Sequence, residues 1–273
     1  MADGDLLVAT FGEVMRIRSG SIVARYSDPR FHTVHSVAVR PSGGWVVASA
    51  GNDSVLEFDG AGAAVRHWWL PRADDPASGE AAPTGFWAHY RETEDFRRAP
   101  VDAFKPHAYH PNRAFYVGRD LWVTCLQTRT CRCLTRGAVI EFPEGPPHDG
   151  VERDGVLWFT CVTGHVIAVD AVSLRRVVEI DLNRWCPSPG LLGWCRGIDV
   201  VGERAFVGMT MLRSTRHREI ARWLVRGRAG VKRPTRVLEL DLRAQRCVRE
   251  VEVGNRAGGT VYAVLADPGD RDS

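Results

Sequence analysis

The feature that most constrains this chain is the run from Pro147 to Leu182, which reads as four short strands in succession. Pro147-His148-Asp149-Gly150-Val151-Glu152-Arg153 opens it, the pair Asp154-Gly155 turns it, and Val156-Leu157-Trp158-Phe159-Thr160 runs back. Gly164 to Asp170 and Arg176 to Leu182 follow at hairpin distance. Asp-Gly between apolar runs is a tight-turn signal, because both residues tolerate the left-handed backbone that such turns require. Four consecutive hairpin-linked strands can bury their faces only by stacking against further copies of the same unit.

Such copies recur along the chain. Thr33 to Arg40, Trp45 to Ala50, Ser54 to Asp59 and Ala64 to Leu70 make one set, with Pro41-Ser42-Gly43-Gly44 as its first turn. A second set comprises His110 to Val117, Leu121 to Leu126, Thr130 to Leu134 and Ala138 to Phe142. The third is the Pro147 set, and a fourth spans Cys195 to Gly202, Ala205 to Met211, Arg236 to Asp241 and Val248 to Val253. At the N-terminus Leu6 to Thr10, Glu13 to Arg18 and Ser21 to Tyr26 form an incomplete set of three. Its missing strand is found at the other end, in Gly259 to Leu265. The pattern predicts an all-β chain forming a single β-propeller domain over 1–273, five-bladed, or six-bladed if an insertion contributes strands. Pairing of the C-terminal strand with the N-terminal strands would close the ring and remove exposed sheet edges.

Two insertions interrupt the pattern, at about 71–106 and 213–235. The first is rich in Pro, Ala, Gly and acidic residues around the aromatic island Phe86-Trp87-Ala88-His89-Tyr90, and reads as a partly ordered lid or a solvated linker. The second, from Arg213 to Arg236, is dense in arginine and suits either a solvated face or an acidic protein partner.

At 273 residues with a formal charge of +3, nothing demands a nucleic acid or an anionic membrane. The start Met1-Ala2-Asp3-Gly4-Asp5 lacks a basic, then apolar, leader, and no apolar run approaches spanning length, so a cytoplasmic protein is expected. Seven cysteines, an odd number, favour reduced thiols. Cys131 and Cys133 are one residue apart, the spacing of neighbours on one strand face and not of a zinc knuckle. No Walker loop, Rossmann fingerprint or Gly-x-Ser-x-Gly elbow is present, so no nucleotide cofactor is expected.

In a propeller the first strand of each blade lines the central channel. Here those strands open with His35, with His110 and Asn112, with His148 and Asp149, with Cys195 and Arg196, and with Tyr262. His35, His110 and His148 are the expected ligands of a divalent transition metal (Zn, Fe, Cu or Mn), three imidazoles leaving a position for water or substrate. Arg196 would stabilise developing negative charge, while Tyr262 and Asp149 would serve proton transfer. Asn112, His107, Trp87 and Trp194 are expected to contact a small-molecule substrate. The plainer alternative is a polar channel whose His, Asn and Arg bond only to water and neighbouring strands.

Several of these stretches resemble a bacterial β-propeller family of unknown function, sometimes attached to tetratricopeptide repeats. The likeness lies in Cys195 to Gly208 with Met211-Leu212-Arg213-Ser214, in Gly258 to Val264, in His110-Pro111-Asn112, in Pro147-His148 and in His35. It departs in the first insertion, reduced to Phe104-Lys105-Pro106, and at Asp149, where the family carries Ser. The resemblance implies the propeller and the axial cluster, and supplies no reaction. Two functions are therefore expected: a hydrolase, lyase, cyclase or metal-bound oxidase for a small molecule in a bacterial biosynthetic pathway, or a scaffold docking a partner through its arginines.

Overall fold

The structure is a computed structural model that describes residues 4–71, 95–186, 190–212, 221, 232–254 and 259–266. No described helix is long and apolar enough to cross a membrane. The chain divides into two compact units, Met1–Glu141 and Phe142–Ser273.

The first unit holds three antiparallel sheets. The N-terminal sheet has three strands, β1 (Leu6–Ala9), β2 (Val14–Arg18) and β3 (Ser21–Tyr26). The next has four, β4 (Val34–Val39), β5 (Trp45–Ser49), β6 (Ser54–Phe58) and β7 (Ala64–Trp69). The third is β8 (Pro111–Val117), β9 (Asp120–Cys125), β10 (Thr130–Cys133) and β11 (Val139–Glu141). Each strand pairs with its chain neighbour, so the sheets are meanders.

β5 shows why its sequence is apolar throughout instead of alternating. Val46 and Ala48 pack with Ala114, Leu121 and Val123 of the third sheet, whereas Trp45 and Val47 pack with Val14 and Phe31 on the side of the first. Side chains alternate across a strand, and here both faces meet another sheet. Full burial of a Val, Leu or Phe contributes about 1.5–3 kcal/mol, so these middle strands carry much of the unit's stability. The ring of Trp45 stacks on Phe58 at 4.0 Å between centroids.

The second unit holds two four-stranded meanders. One is β12 (Pro147–Arg153), β13 (Val156–Cys161), β14 (His165–Asp170) and β15 (Arg176–Asp181), ended by a single helical turn, α1 (Leu182–Trp185), whose N-cap is Asp181. The other is β16 (Trp194–Val201), β17 (Arg204–Thr210), β18 (Thr235–Asp241) and β19 (Arg246–Gly254). One cluster joins them: Val166 and Ala168 from β14 with Ile198, Val200, Val207, Met209, Leu238 and Leu240.

The expected closing strand differs. Residues 259–266 form no strand in the structure; they run against β16 and β17 of their own unit, held by side chains. Val261 N donates to Thr210 Oγ1 (3.2 Å), Thr235 Oγ1 donates to Gly259 O (2.8 Å), and Ala266 N donates to Asp199 Oδ2 (2.8 Å). Gly197 and Gly208 make the approach feasible, since a Cβ on Gly197 would lie 2.7 Å from backbone atoms of Ala263 and Val264.

Of the first insertion, residues 95–106 are described and ordered against the first unit. Phe96 and Phe104 pack with Trp69, Ala99 and Ala108, and Phe96 N donates to Pro29 O at 2.8 Å. Of the arginines from Arg213 to Arg236, expected on a solvated face or against an acidic partner, Arg236 is wholly buried, its Nη2 donating to Leu192 O (2.9 Å) and its Nε to Glu250 (3.1 Å). A guanidinium is buried only when its donors are met, and here a carbonyl and a carboxylate meet them. The stretch from Arg218 to Val225, whose sequence could make about two helical turns, lies outside the described residues except for Ala221.

Candidate functional site

Every four-stranded sheet carries the same irregularity where its first strand begins. The ladder steps from Val34 to Ser36, from Pro111 to Arg113, from Pro147 to Asp149 and from Cys195 to Ile198, while the second strand advances with fewer residues. His35, Asn112, His148 and the pair Arg196-Gly197 are the residues passed over. A bulge of this kind bends the strand and re-aims the side chain it carries. Four of the predicted site residues therefore occupy one equivalent position, repeated blade by blade. In two blades a threonine hydroxyl takes up the N–H just beyond the bulge: Arg113 N donates to Thr124 Oγ1 (3.0 Å) and Asp149 N to Thr160 Oγ1 (3.1 Å).

In the first unit the structure brings His35, His107 and His110 together. The rings of His35 and His110 lie 5.0 Å apart between centroids and those of His107 and His110 4.7 Å. His35 Nδ1 sits 2.8 Å from Thr33 O, an acceptor only, so that nitrogen carries the proton and Nε2 presents its lone pair. His110 has φ +52°, a left-handed backbone that is uncommon outside glycine. Asp53 maintains it: its carboxylate accepts the N–H groups of Ala108 (2.8 Å), Tyr109 (3.2 Å) and His110 (2.6 Å). Burial pushes the Asp53 carboxyl up to about 6, the three amides pulling the other way. Burial, followed by the charge of Lys105, holds His107 down to about 4, so it is a neutral imidazole at neutral pH. Asn112 is buried on β8.

In the second unit His148, Arg196, Tyr262 and Trp194 meet. The Arg196 guanidinium carbon lies 4.9 Å from the Trp194 ring centre and 4.6 Å from that of Tyr262, an aromatic bracket around a cation. The His148 ring is 6.4 Å from Tyr262. The imidazole is buried, whereas Tyr262 is 47% exposed, so the cluster runs from interior to solvent. Asp149, expected to move protons, is buried and engaged by backbone: Gly150 N donates to its Oδ1 (2.9 Å) and Ile198 N to its Oδ2 (3.2 Å). It ties β12 to β16. Thr160 Oγ1 donates to the Arg196 carbonyl, so one hydroxyl braces both bulges.

Among the described residues no group of three or more His, Cys, Asp or Glu side chains is arranged to hold a metal ion. Trp87 lies outside the described residues. A cleft of about 620 Å³ in the second unit, lined by Trp158, His165, Glu179, Asp181, Trp185 and Gln245 among others, includes none of the predicted site residues. Asp53 and Thr160 were not foreseen. Asp53 carries no local motif, but Arg113 to Thr124 and Asp149 to Thr160 share a spacing of 11, a repeat the sequence does contain.

Five antiparallel meanders, four of them complete and opened by a bulged strand, define the chain as an all-β five-bladed β-propeller with almost no helix. It is similar to a protein of unknown function from Bacteroides caccae, with a TM-score of 0.60 and 14% identity over 91% of this chain and 77% of that one. It is also similar to virginiamycin B lyase from Staphylococcus aureus, with a TM-score of 0.55 and 14% identity over 93% of this chain and 68% of that one. At that identity the likeness is one of fold. No family model matches the sequence, and no curated protein matches it.

Proposed function

We propose that the protein is a small-molecule enzyme of the acid–base kind, a lyase or hydrolase, that works at the bulged inner strands of its second unit. The observation carrying this reading is the bracketed Arg196 guanidinium beside the buried His148 and the half-exposed Tyr262. In it His148 takes a proton from the substrate, Arg196 stabilises the anion so formed, and Tyr262 donates to the leaving group. A partly buried guanidinium flanked by indole and phenol rings suits a compact substrate with a carboxylate, ester or lactone group. The similar Staphylococcus aureus protein, named as a lyase, supports elimination as a reaction this fold can host.

The test is a panel of small carboxylates, esters and lactones, screened by thermal shift and then by mass spectrometry of products. A hit should stabilise the wild type and lose that effect in Arg196→Ala, and its turnover should fall about 10²–10⁴-fold in His148→Ala, the range for a general base. Turnover that survives in His148→Ala with the fold intact would move the chemistry elsewhere.

The metal-assisted form of the reading draws on His35 and His110, because their rings lie 5.0 Å apart between centroids. Elemental analysis of the wild type and of His35→Ala/His110→Ala separates it from the metal-free form: stoichiometric metal lost in the variant supports it.

A further inference from the structure

None of the seven cysteines is in a disulfide, and they are not alike. Cys125, Cys131, Cys133, Cys161 and Cys195 are wholly buried. Burial pushes the thiols of Cys131, Cys161 and Cys195 well up and that of Cys125 up to about 12. A thiol kept from ionising is a poor nucleophile. Cys186 and Cys247 differ because they belong to one core cluster of the second unit, with Cys247 packed against the buried group that holds Cys186, and their side chains hydrogen-bond to each other. Cys186 closes α1, its N–H donating to Leu182 O at 3.0 Å, and its side chain is buried in the core of the second unit. Cys247 lies half-buried on β19, the last strand of its sheet, with Sγ 3.4 Å from Arg249 O.

We propose that Cys186 and Cys247 are a redox modification site, a dithiol that a hydroperoxide converts to a disulfide. The two sulfurs have distinct roles. Cys247 is the more accessible, and a hydrogen bond received from Cys186 favours its thiolate, lowering its pKa while raising that of Cys186. Cys247 is thus the attacking sulfur and Cys186 the resolving one. The Cys247 thiolate attacks a peroxide oxygen, the O–O bond breaks, and Cys247 sulfenic acid and hydroxide result. The Cys186 sulfur then attacks the Cys247 sulfur, displacing the hydroxyl group, which leaves with the thiol proton as water. In sum two thiols and one hydrogen peroxide give one disulfide and two waters, the thiols being oxidised and the peroxide reduced. Neither cysteine lines the 620 Å³ cleft, whose lining includes Trp185, the chain neighbour of Cys186, and Gln245, two residues before Cys247. The bond formed would fasten the connection after β15 to the outermost strand of the following sheet.

The experiment is titration of the reduced full chain with hydrogen peroxide, followed by alkylation and peptide mass spectrometry. The expected product is a chain lighter by two hydrogens, with the Cys186 and Cys247 peptides joined and separated again by dithiothreitol. In Cys186→Ser, Cys247 should instead give a sulfenic acid that dimedone traps; in Cys247→Ser neither product should form. Circular dichroism establishes that each variant is folded, and the wild-type cross-link stands as a test without them. Sulfinic acid at Cys247 in the wild type with no cross-link, or prior oxidation at the other five cysteines, would overturn the proposal.

Discussion

At the scale of single residues, the two units use histidine in contrasting ways. His148 is buried beside a cation and a phenol, and its removal should abolish chemistry while sparing the fold. His107 reports its surroundings through pH. In the unfolded chain a histidine titrates near 6.5, whereas in the folded protein His107 stays neutral down to about 4. As pH falls through that window the unfolded chain binds the proton first, so stability drains away; by pH 4 the loss from this group alone is about 3 kcal/mol. His107→Asn lacks that titration. The stability of the wild type relative to this variant should therefore drop by that amount between pH 7.5 and pH 4, measured by urea unfolding at each pH. Asp53 acts with opposite sign: its folded pKa of about 6 stands above the ordinary 3.8, so its contribution improves as pH falls from 6 to 4. A difference that stays constant across the range would mean that His107 titrates as it does in water.

At the scale of elements, the bulge and the loop cradle matter more than the strands. Strand positions were readable because turn residues and apolar runs bracket them: β3, expected from Ser21 to Tyr26, has those bounds, and most others shift by a residue. The bulges were not readable, since nothing in Asn112 or His148 marks a skipped ladder position; in those two blades the mark is the threonine of the next strand, which takes the orphaned N–H. Gly259 to Leu265 alternates like a strand, yet its partners are the side chains of Thr210, Thr235 and Asp199, a difference that periodicity does not record. Two substitutions probe these elements. Asp53→Asn sets an amide NH₂ among three N–H donors and should cost about 1–3 kcal/mol, with faster amide exchange at Ala108, Tyr109 and His110 than in the wild type. Gly197→Ala forces a methyl group into the backbone of Ala263 and Val264, which should cost about 1–3 kcal/mol and release Tyr262 from Arg196. Thermal unfolding reads the first effect, and proteolytic sensitivity of the C-terminal segment reads the second. Unchanged protection at 108–110 would show that the Asp53 carboxylate does not maintain the loop.

At the scale of the molecule, the propeller was legible because its blade is a local object: four strands joined by short turns, repeated. The site was legible only in part, since His35, His110 and His148 are conspicuous, whereas the carboxylate and hydroxyl that fix their backbones are ordinary residues elsewhere in the chain. One prediction belongs to this scale. Exchanging bulge residues, as in His35→Asn with Asn112→His, should leave the far-ultraviolet circular dichroism spectrum unchanged and stability within about 2 kcal/mol, because the ladder hydrogen bonds run past these positions. A loss of cooperative unfolding in that double variant would show that the side chains help to build the blades. The skipped position has an evolutionary meaning. A blade asks its middle strands for apolar bulk and its bulge for nothing in particular, so scaffold and chemistry are inherited as separate traits. Histidine, asparagine or arginine can then stand at that position from one blade to the next, and the same fold accommodates dissimilar sequences, as 14% identity over nine-tenths of the chain illustrates.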